Sequence, residues 1–343
     1  MRSRTSTEIA FVGDLHLDAL LKYWPEANLL QLGAVRKVLS SCVLEGIEHV
    51  VFLGDIADGI RDSTGTAMRL SEGAQCGLLD LLIEFDGKLG IHIIPGNHDH
   101  ADIGNHSLQL FLTMQKHGLF KSTRFYYTPT KTKIDGVPVH FLPWPHKTPD
   151  PRAVFGVAHY EVSGASSDSG KQLRGDMHEY DTIVMQGHLH TRQRVRNHIY
   201  PGTLYQMNFG ESLPKGYGVV RVNSSGKLKY RWVEVDPPFK LYNIVANSLK
   251  DLKPIVKDPY RLYKLFVSDN VTIPSDFLTR YPNIVNSLQF SDGQELQSLQ
   301  DAEFDIGSSV EEFNHAQFLE PFLQAQKAPA WQIKRAIEIM EGV

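Results

Sequence analysis

The sequence predicts an α/β fold, on three observations. Short apolar runs ending in Gly, Pro or His recur through the first two-thirds of the chain. Stretches with apolar residues at helical spacing separate the first of these runs. Five of the runs lead directly into Asp, Asn or His. The first two observations are the pattern of strand–helix–strand units, whose buried strands read as continuous apolar runs. The third places polar, metal-loving side chains at strand ends.

Taken in order, Glu8–Gly13 (EIAFVG) is a buried strand by its length and flanks. Leu32, Val35, Val38, Leu39 and Cys42 recur at helical spacing, and Gly46 ends that helix. His49–Gly54 (HVVFLG) is a second strand. Leu78, Leu79, Leu82, Ile83 and Phe85 make a second apolar helix, closed by Gly87, and Ile91–Pro95 is a third strand. Val137–Pro143, Val154–His159 and Thr182–Gly187 continue the series. Ser163–Lys171 (SGASSDSGK) is small and polar and reads as a mobile loop. Gly216–Val222 and Lys227–Val235 are strands joined by a Ser224-Ser225-Gly226 turn.

From about Phe239 the texture changes. Tyr260–Val267 and Val285–Phe290 read as strands, with a helix beginning near Pro274 between them: a small α+β module. Gln294–Ser309 is polar, as a linker is. Val310–Ala325 and Ala330–Met340 read as helices. The expected organisation is a main domain over 1–236, a small module over 237–293, and a linker with C-terminal helices over 294–343.

Composition narrows the function classes. No apolar run approaches the roughly 18 residues of a membrane span. Met1–Glu8 is polar and lacks the apolar core of a secretory leader. Cys42 and Cys76 are the only cysteines and both are expected to be small buried hydrophobes, so no disulfide framework exists and a reducing cytoplasm fits. The net charge of −4 argues against gripping nucleic acid by the overall field. A DNA enzyme stays open, because metal ions or a basic partner can supply positive charge locally. The 15 histidines are a high count, and neutral imidazole is the commonest side-chain metal ligand.

Five motifs carry the chemistry: Gly13-Asp14-Leu15-His16, Gly54-Asp55, Gly96-Asn97-His98-Asp99, His159, and Gly187-His188-Leu189-His190. Asp, His and Asn without any thiolate suit Mn, Fe, Zn or Mg rather than a structural Cys-type zinc site. In extended chain, residues i and i+2 share a side, so Asp14 and His16 can face one metal, and so can His188 and His190. The preceding glycines let the backbone bend and approach closely. Ligands at strand C-termini fall where open α/β sheets place their sites. A Gly-Asp pair alone says little; the whole set in this order does not arise by chance.

That set, D-x-H … GD … GNHD … H … GHxH, resembles the calcineurin-like metallophosphoesterase pattern over Ile9–Val235. Two details resemble its SbcD-type double-strand-break nucleases: GDLHLD at Gly13–Asp18, and Tyr200-Pro201-Gly202-Thr203 followed by Phe209-Gly210-Glu211. The resemblance implies a two-sheet core of βαβ units with mixed sheets and helices outside, a small DNA-capping domain, and C-terminal helices that bind a partner. It implies that Asp14, His16, Asp55 and His190 hold one metal ion. Asp55, Asn97, His159 and His188 would hold the second, with Asp55 bridging. His98 would face the scissile phosphate. Asp99 would orient an imidazole, or else serve as a turn or cap residue. The chain departs from the family in two places: Asp58 stands where many members carry a second histidine, and Ala158 stands where Gly is common. Asp58 cannot donate as an imidazolium does, but it can orient a histidine.

The implied activity is a two-metal DNA phosphodiesterase, endonucleolytic and 3′-to-5′ exonucleolytic, acting in DNA repair and recombination. The implied ions are two divalent cations, Mn2+ with Mg2+ or Fe2+ as alternatives. The implied partners are DNA, a coiled-coil ABC-type ATPase (SbcC-like) and a second copy of the chain. Rival readings are a phosphoprotein phosphatase or cyclic-nucleotide phosphodiesterase on the same fold, and a non-catalytic scaffold. The scaffold is disfavoured because none of the seven ligand positions is lost. Arg192, Arg194 and Arg196 would share a strand face, touching DNA phosphate or only solvent. Lys121, Arg124, Lys131 and Lys133 read as solvent-facing, and His140, His146 and His178 as ordinary polar residues. Trp144 could line the cleft but is expected to pack, and Phe313, Phe318 and Phe322 are expected to form a helix core or, if exposed, to dock on a partner helix.

Overall fold

The computed structural model describes residues 6–58, 70–99, 107–168, 170–174 and 181–290. The expected linker and C-terminal helices of 294–343, with Phe313, Phe318 and Phe322, lie outside the described residues, as does His178.

The first sheet takes β1 (Ser6–Val12), β2 (His49–Phe52), β3 (Gly90–Ile93) and β4 (Thr123–Phe125), with α1 (Ala27–Glu45), α2 (Glu72–Phe85) and α3 (Gln109–Lys116) in the connections. The second takes β5 (Thr130–Ile134), β6 (Val137–Leu142), β7 (Phe155–His159), β8 (Ile183–Gly187), β9 (Gln193–Val195) and β10 (His198–Tyr200). The chain then returns through the hairpin β11 (Lys215–Asn223) and β12 (Leu228–Val235) to complete the first sheet. The strand orders are β12-β11-β1-β2-β3-β4 and β5-β6-β7-β8-β10-β9. Both sheets are mixed. Central strands run parallel, and antiparallel pairs lie towards the edges: β1 with β11 and β11 with β12 in one sheet, β5 with β6 and β10 with β9 in the other.

Strand alternation explains the continuous apolar runs. Ile9, Phe11, Val51 and Leu53 face inward and meet Phe141, Phe155, Val157 and Met185 of the other sheet. Their neighbours Ala10, Val12, Val50 and Phe52 face the opposite way, onto Val35, Leu39, Leu78 and Leu82 of the helices. A strand buried on both faces has no polar side to show. The sheets lock at Phe11 and Phe155, whose rings meet edge to face at 5.6 Å. Gly46, at φ 74, caps α1 as its sequence position predicts. Ser71 caps α2 by accepting the Ala74 N–H.

A third sheet follows: β13 (Lys240–Ala246), β14 (Arg261–Ser268) and β15 (Ile284–Phe290), all parallel, with the short helix α4 (Phe277–Arg280) before β15. The helix expected from near Pro274 is thus a single turn. Several elements escaped the sequence pattern for physical reasons. β4, β9 and β10 have three residues each, too few to show a period. β5 (TKTKI) is an edge strand exposing alternate residues, and its Lys131 pairs with Asp150 at 2.7 Å.

Two expectations are corrected. Cys42 is buried, but Cys76 is exposed on α2. Trp144 is 36 % exposed and does not pack into the core. Within Ser163–Lys171, Ala165 is fully buried and Ser166 bridges Gln172.

Phe155→Ala removes one side of the contact between the sheets. It should destabilise the fold by about 3–5 kcal/mol, read as a lowered urea midpoint. A loss below about 1 kcal/mol would contradict the packing described here.

Candidate metal centre

The loops after β1, β2, β3, β7 and β8 meet at one end of the two sheets. Their backbones are tied before any side chain is considered. Leu15 and His16 both donate their N–H groups to the Asp55 carbonyl at 2.9 Å, Leu17 donates to Ile56, and Asp58 donates back to Leu17. Gln31 of α1 and the Tyr205 hydroxyl donate to the Leu15 carbonyl. His16, Asp55 and His188 sit at φ 43, 46 and 84. Residues with a Cβ seldom occupy that left-handed region, and such strain persists only where the surroundings over-determine it. Gly96 and Gly187 make the crowding possible. A Cβ on Gly96 would strike Asp55 and come within 2.7 Å of the His159 ring; one on Gly187 would lie 2.6 Å from His159 Nδ1 and 2.8 Å from Asp14 Oδ1.

Two groups of ligand-type atoms result. In the first, His16 Nε2 lies 3.1 Å from His190 Nε2. Asp14 Oδ2 is 3.6 Å from His190 Nε2 and 3.9 Å from His16 Nε2. In the second, His159 Nε2 lies 3.1 Å from Asp55 Oδ2 and 3.0 Å from Asn97 Oδ1. His188 Nδ1 is 3.0 Å from the same Asn97 oxygen. Asp55 Oδ2 is also 3.7 Å from His16 Nε2, so its carboxylate stands between the two groups. All seven residues expected as ligands therefore converge.

The outer contacts set the imidazoles. His159 Nδ1 faces the Leu53 carbonyl at 2.7 Å, which only accepts, so Nδ1 carries the proton and the Nε2 lone pair of the neutral ring points into the site. His190 Nδ1 is held by Glu211 Oε1 at 2.9 Å and Asp168 Oδ2 at 3.1 Å, with the same consequence. Buried Lys215 bonds Glu211, the Thr203 hydroxyl and the His190 carbonyl.

These donors fit divalent cations. Oxygen and imidazole ligands suit such ions, and within each group the candidate Asp and His ligand atoms lie within 4.8 Å of one another. Electrostatics points the same way. Burial opposes ionisation of Asp55, yet His159, His16 and His98 hold its carboxyl well below the usual range. Burial lifts Asp14 to about 6, and lowers His16 and His188 to about 4 each. Burial also opposes charge on His159, but Asp55 and Asp14 outweigh it and raise that imidazole to about 9. On His190 burial is likewise outweighed, chiefly by Glu211 and then Asp168, and the ring is raised well above its ordinary value. The buried carboxylates thus demand positive charge at both groups. Without cations they draw it from protons on His159 and His190.

The remaining sequence candidates separate. His98 Nδ1 lies 2.8 Å from Asp58 Oδ1, and the His98 N–H donates to Asp55. Asp58 therefore touches the histidine it was expected to orient. Asp99 does something else. Its carboxylate accepts the N–H groups of Ile56, Ala57 and Gly96, clamping two site loops rather than steering a ring. Asp168 and Lys215 were missed. Neither has a motif neighbour that would reveal it, because each acts on His190 from a different stretch of chain. Glu211 was noticed only as part of the Phe209-Gly210-Glu211 resemblance. Arg192 and Arg194 are exposed beside the site, and Arg196 lies beyond them at φ 52.

The profile of the calcineurin-like phosphoesterases matches residues 7–192, more than half the chain. The chain belongs to that family. Membership makes it a metal-dependent phosphoester hydrolase, and the family's two divalent metals are what the two Asp/His groups accommodate. A search of curated proteins finds no match. Among the described residues no helix is long and apolar enough to cross a membrane.

Two measurements check this centre. His159, raised to about 9, is protonated at neutral pH in the metal-free protein, so cation binding must displace that proton. Mn2+ affinity should weaken about tenfold per pH unit per displaced proton as pH falls below 9. Calorimetry in two buffers at neutral pH should count at least one proton released, and none would refute the assignment. The same sign governs stability. Protonated His159 stabilises the metal-free fold fully below the unfolded value of 6.5, and that contribution is lost as pH rises through about 9. Asp99→Ala, leaving three backbone donors unpaired, should cost about 3 kcal/mol or more in urea denaturation. A neutral result would mean the clamp is dispensable.

Proposed function

We propose that this chain is a two-metal DNA phosphodiesterase of the SbcD type, cutting DNA as the nuclease subunit of a repair complex. The observation that carries the reading is the bond from His190 to Glu211. Glu211 belongs to one of the two segments that resemble SbcD proteins, and it holds a residue of the centre itself. The other segment is tied in equally. Asp18 of GDLHLD accepts from the Asn28 amide and from the Ser71 N–H and hydroxyl, joining the β1 loop to the start of α2. Gly202 presses its carbonyl on Gly13, leaving no room for a Cβ there.

Two bound divalent cations, Mn2+ on this reading with Mg2+ or Fe2+ as alternatives, would polarise the phosphodiester and lower the pKa of water at the site. Asp14, His16, Asp55 and His190 would hold one, and Asp55, Asn97, His159 and His188 the other. The chain's own residues do the rest. Asp55 spans both groups and fixes the His98 backbone. Asp58 holds His98 by Nδ1, which leaves Nε2 to meet a phosphoryl oxygen or to protonate the leaving oxygen. Glu211 and Asp168 keep His190 in one tautomer. On the same reading, residues 237–293 cap the DNA and 294–343 tether a coiled-coil ATPase. Deleting 310–343 should then abolish ATPase binding without emptying the metal site.

The deciding experiment is cleavage of end-labelled duplex and single-stranded DNA with Mn2+, Mg2+ or EDTA. Mn2+-dependent cutting is expected. His98→Ala should keep the metals and lose about 10²–10⁴-fold in rate, whereas Asp55→Ala should lose both metal and cutting. Folded, metal-loaded protein that turns over phosphomonoesters or cyclic nucleotides far better than DNA would overturn the reading in favour of a phosphatase or cyclic-nucleotide phosphodiesterase.

A further inference from the structure

A cavity opens beside the metal centre, where the β9 edge of one sheet lies near the β12 edge of the other. It holds about 540 Å³, within the range of small-molecule sites. His190 belongs to both its wall and the metal centre. Its lining includes Arg192, Arg194, Pro214, Tyr230 and Trp232.

The chemistry of this lining is specific. Trp232 is fixed: its indole N–H donates to the Pro201 carbonyl at 2.9 Å, and its ring packs so closely on β11 that a Cβ at Gly216 would fall 2.6 Å from it. The Arg192 guanidinium lies over the ring at 4.6 Å from its centroid. Arg192 thus sets a cation over the face of that ring. Guanidinium planes stack on nucleobases as aromatic rings do. Arg194 stands two residues along the same strand face, with its Nε bonded to the Arg196 carbonyl. Neither Arg192 nor Arg194 has a carboxylate partner among the described residues. Two cations without a carboxylate partner among the described residues and an aromatic face, beside a phosphoester-cleaving centre, describe a site for a planar, anionic unit.

We propose that this cavity is a nucleotide subsite, taking the nucleotide next to the scissile phosphate with its base stacked on the Arg192–Trp232 layer and its own phosphate against Arg194. The proposal rests on the DNA reading given above, and it names the part of the strand that this face of the site holds. It also answers the net charge of −4. The strand is held by stacking and by two local cations rather than by an overall basic field.

The test uses the full metal-loaded chain. The first probe is deoxyadenosine monophosphate, titrated while tryptophan fluorescence is followed in wild type and in Trp232→Phe. Quenching that disappears in Trp232→Phe is expected. The second measurement compares kcat/KM for a short single-stranded oligonucleotide with that for bis(p-nitrophenyl) phosphate, which has no base. In Arg192→Ala the ratio should fall about tenfold, the size of one stacked base. Arg192→Lys keeps the charge but not the plane, and should lose nearly as much. Absence of Trp232-dependent quenching, or an unchanged ratio in both Arg192 variants, overturns the subsite and leaves the DNA reading standing. Turnover of bis(p-nitrophenyl) phosphate without any cutting of DNA overturns the DNA reading instead, and the quenching titration then decides the subsite by itself.

Discussion

The carboxylate of Asp55 is the point on which the rest of the structure depends. It is buried, and it is reached by His16 from the β1 loop, by the His98 backbone from the β3 loop and by His159 from the end of β7. Those strands belong to two different sheets. Only a sandwich whose inner faces are packed can bring β7 within 3.1 Å of the loop that follows β2. Core and centre are therefore one problem. Phe11 and Phe155 hold the sheets at the spacing the metal groups need. An ionised carboxylate in such a place is costly unless compensated, and the histidines around Asp55 are that compensation until cations take over. The left-handed backbone at His16, Asp55 and His188 belongs to the same account. The loops that carry the ligands are strained, and the packed sheets keep them so.

How much of this was legible in the sequence follows from the range of each interaction. The ligand set was legible because strand geometry is local: glycine, then Asp or His, at the end of an apolar run needs no knowledge of the rest of the chain. The parallel core strands were legible for a similar reason, since burial on both faces leaves an unbroken apolar run in β1, β2 and β8. The short edge strands were not. Three residues of β9 or β10 show no period, and they pair only because β8 is already there to template them.

The supporting layer around the ligands was hidden for another reason. Asp168 and Glu211 both reach His190 Nδ1, from 22 residues before it and 21 after it. Lys215 then neutralises Glu211 within the buried interior. No spacing rule joins these positions, because the loops that deliver them differ in length and shape. Asp99 shows the converse. Its place in the Gly96-Asn97-His98-Asp99 motif left open an imidazole-orienting role or a turn role, and its bonds go to backbone donors on two loops. Motif membership reports that a residue is needed at the site. It does not separate holding a ligand from holding the loop that carries one.

Charge connects these layers. The centre gathers Asp14, Asp55, Asp58, Asp168 and Glu211 within or around a few ångströms of its histidines, in a chain already at −4. A polyanionic substrate would be repelled by that arrangement. Divalent cations reverse the sign at its middle, and electrostatic arguments that omit the ion's own charge are incomplete there. The reversal is local, because beyond about 8–10 Å solvent ions screen it. Anything that holds the substrate further out must use short-range contacts rather than field. The Arg192–Trp232 pair, beside His190, offers a contact of that short-range kind. On this argument the acidic character of the chain and the stacking character of the cavity go together. On the proposed DNA reading, recognition falls to metal at the phosphate and planar contact at the base.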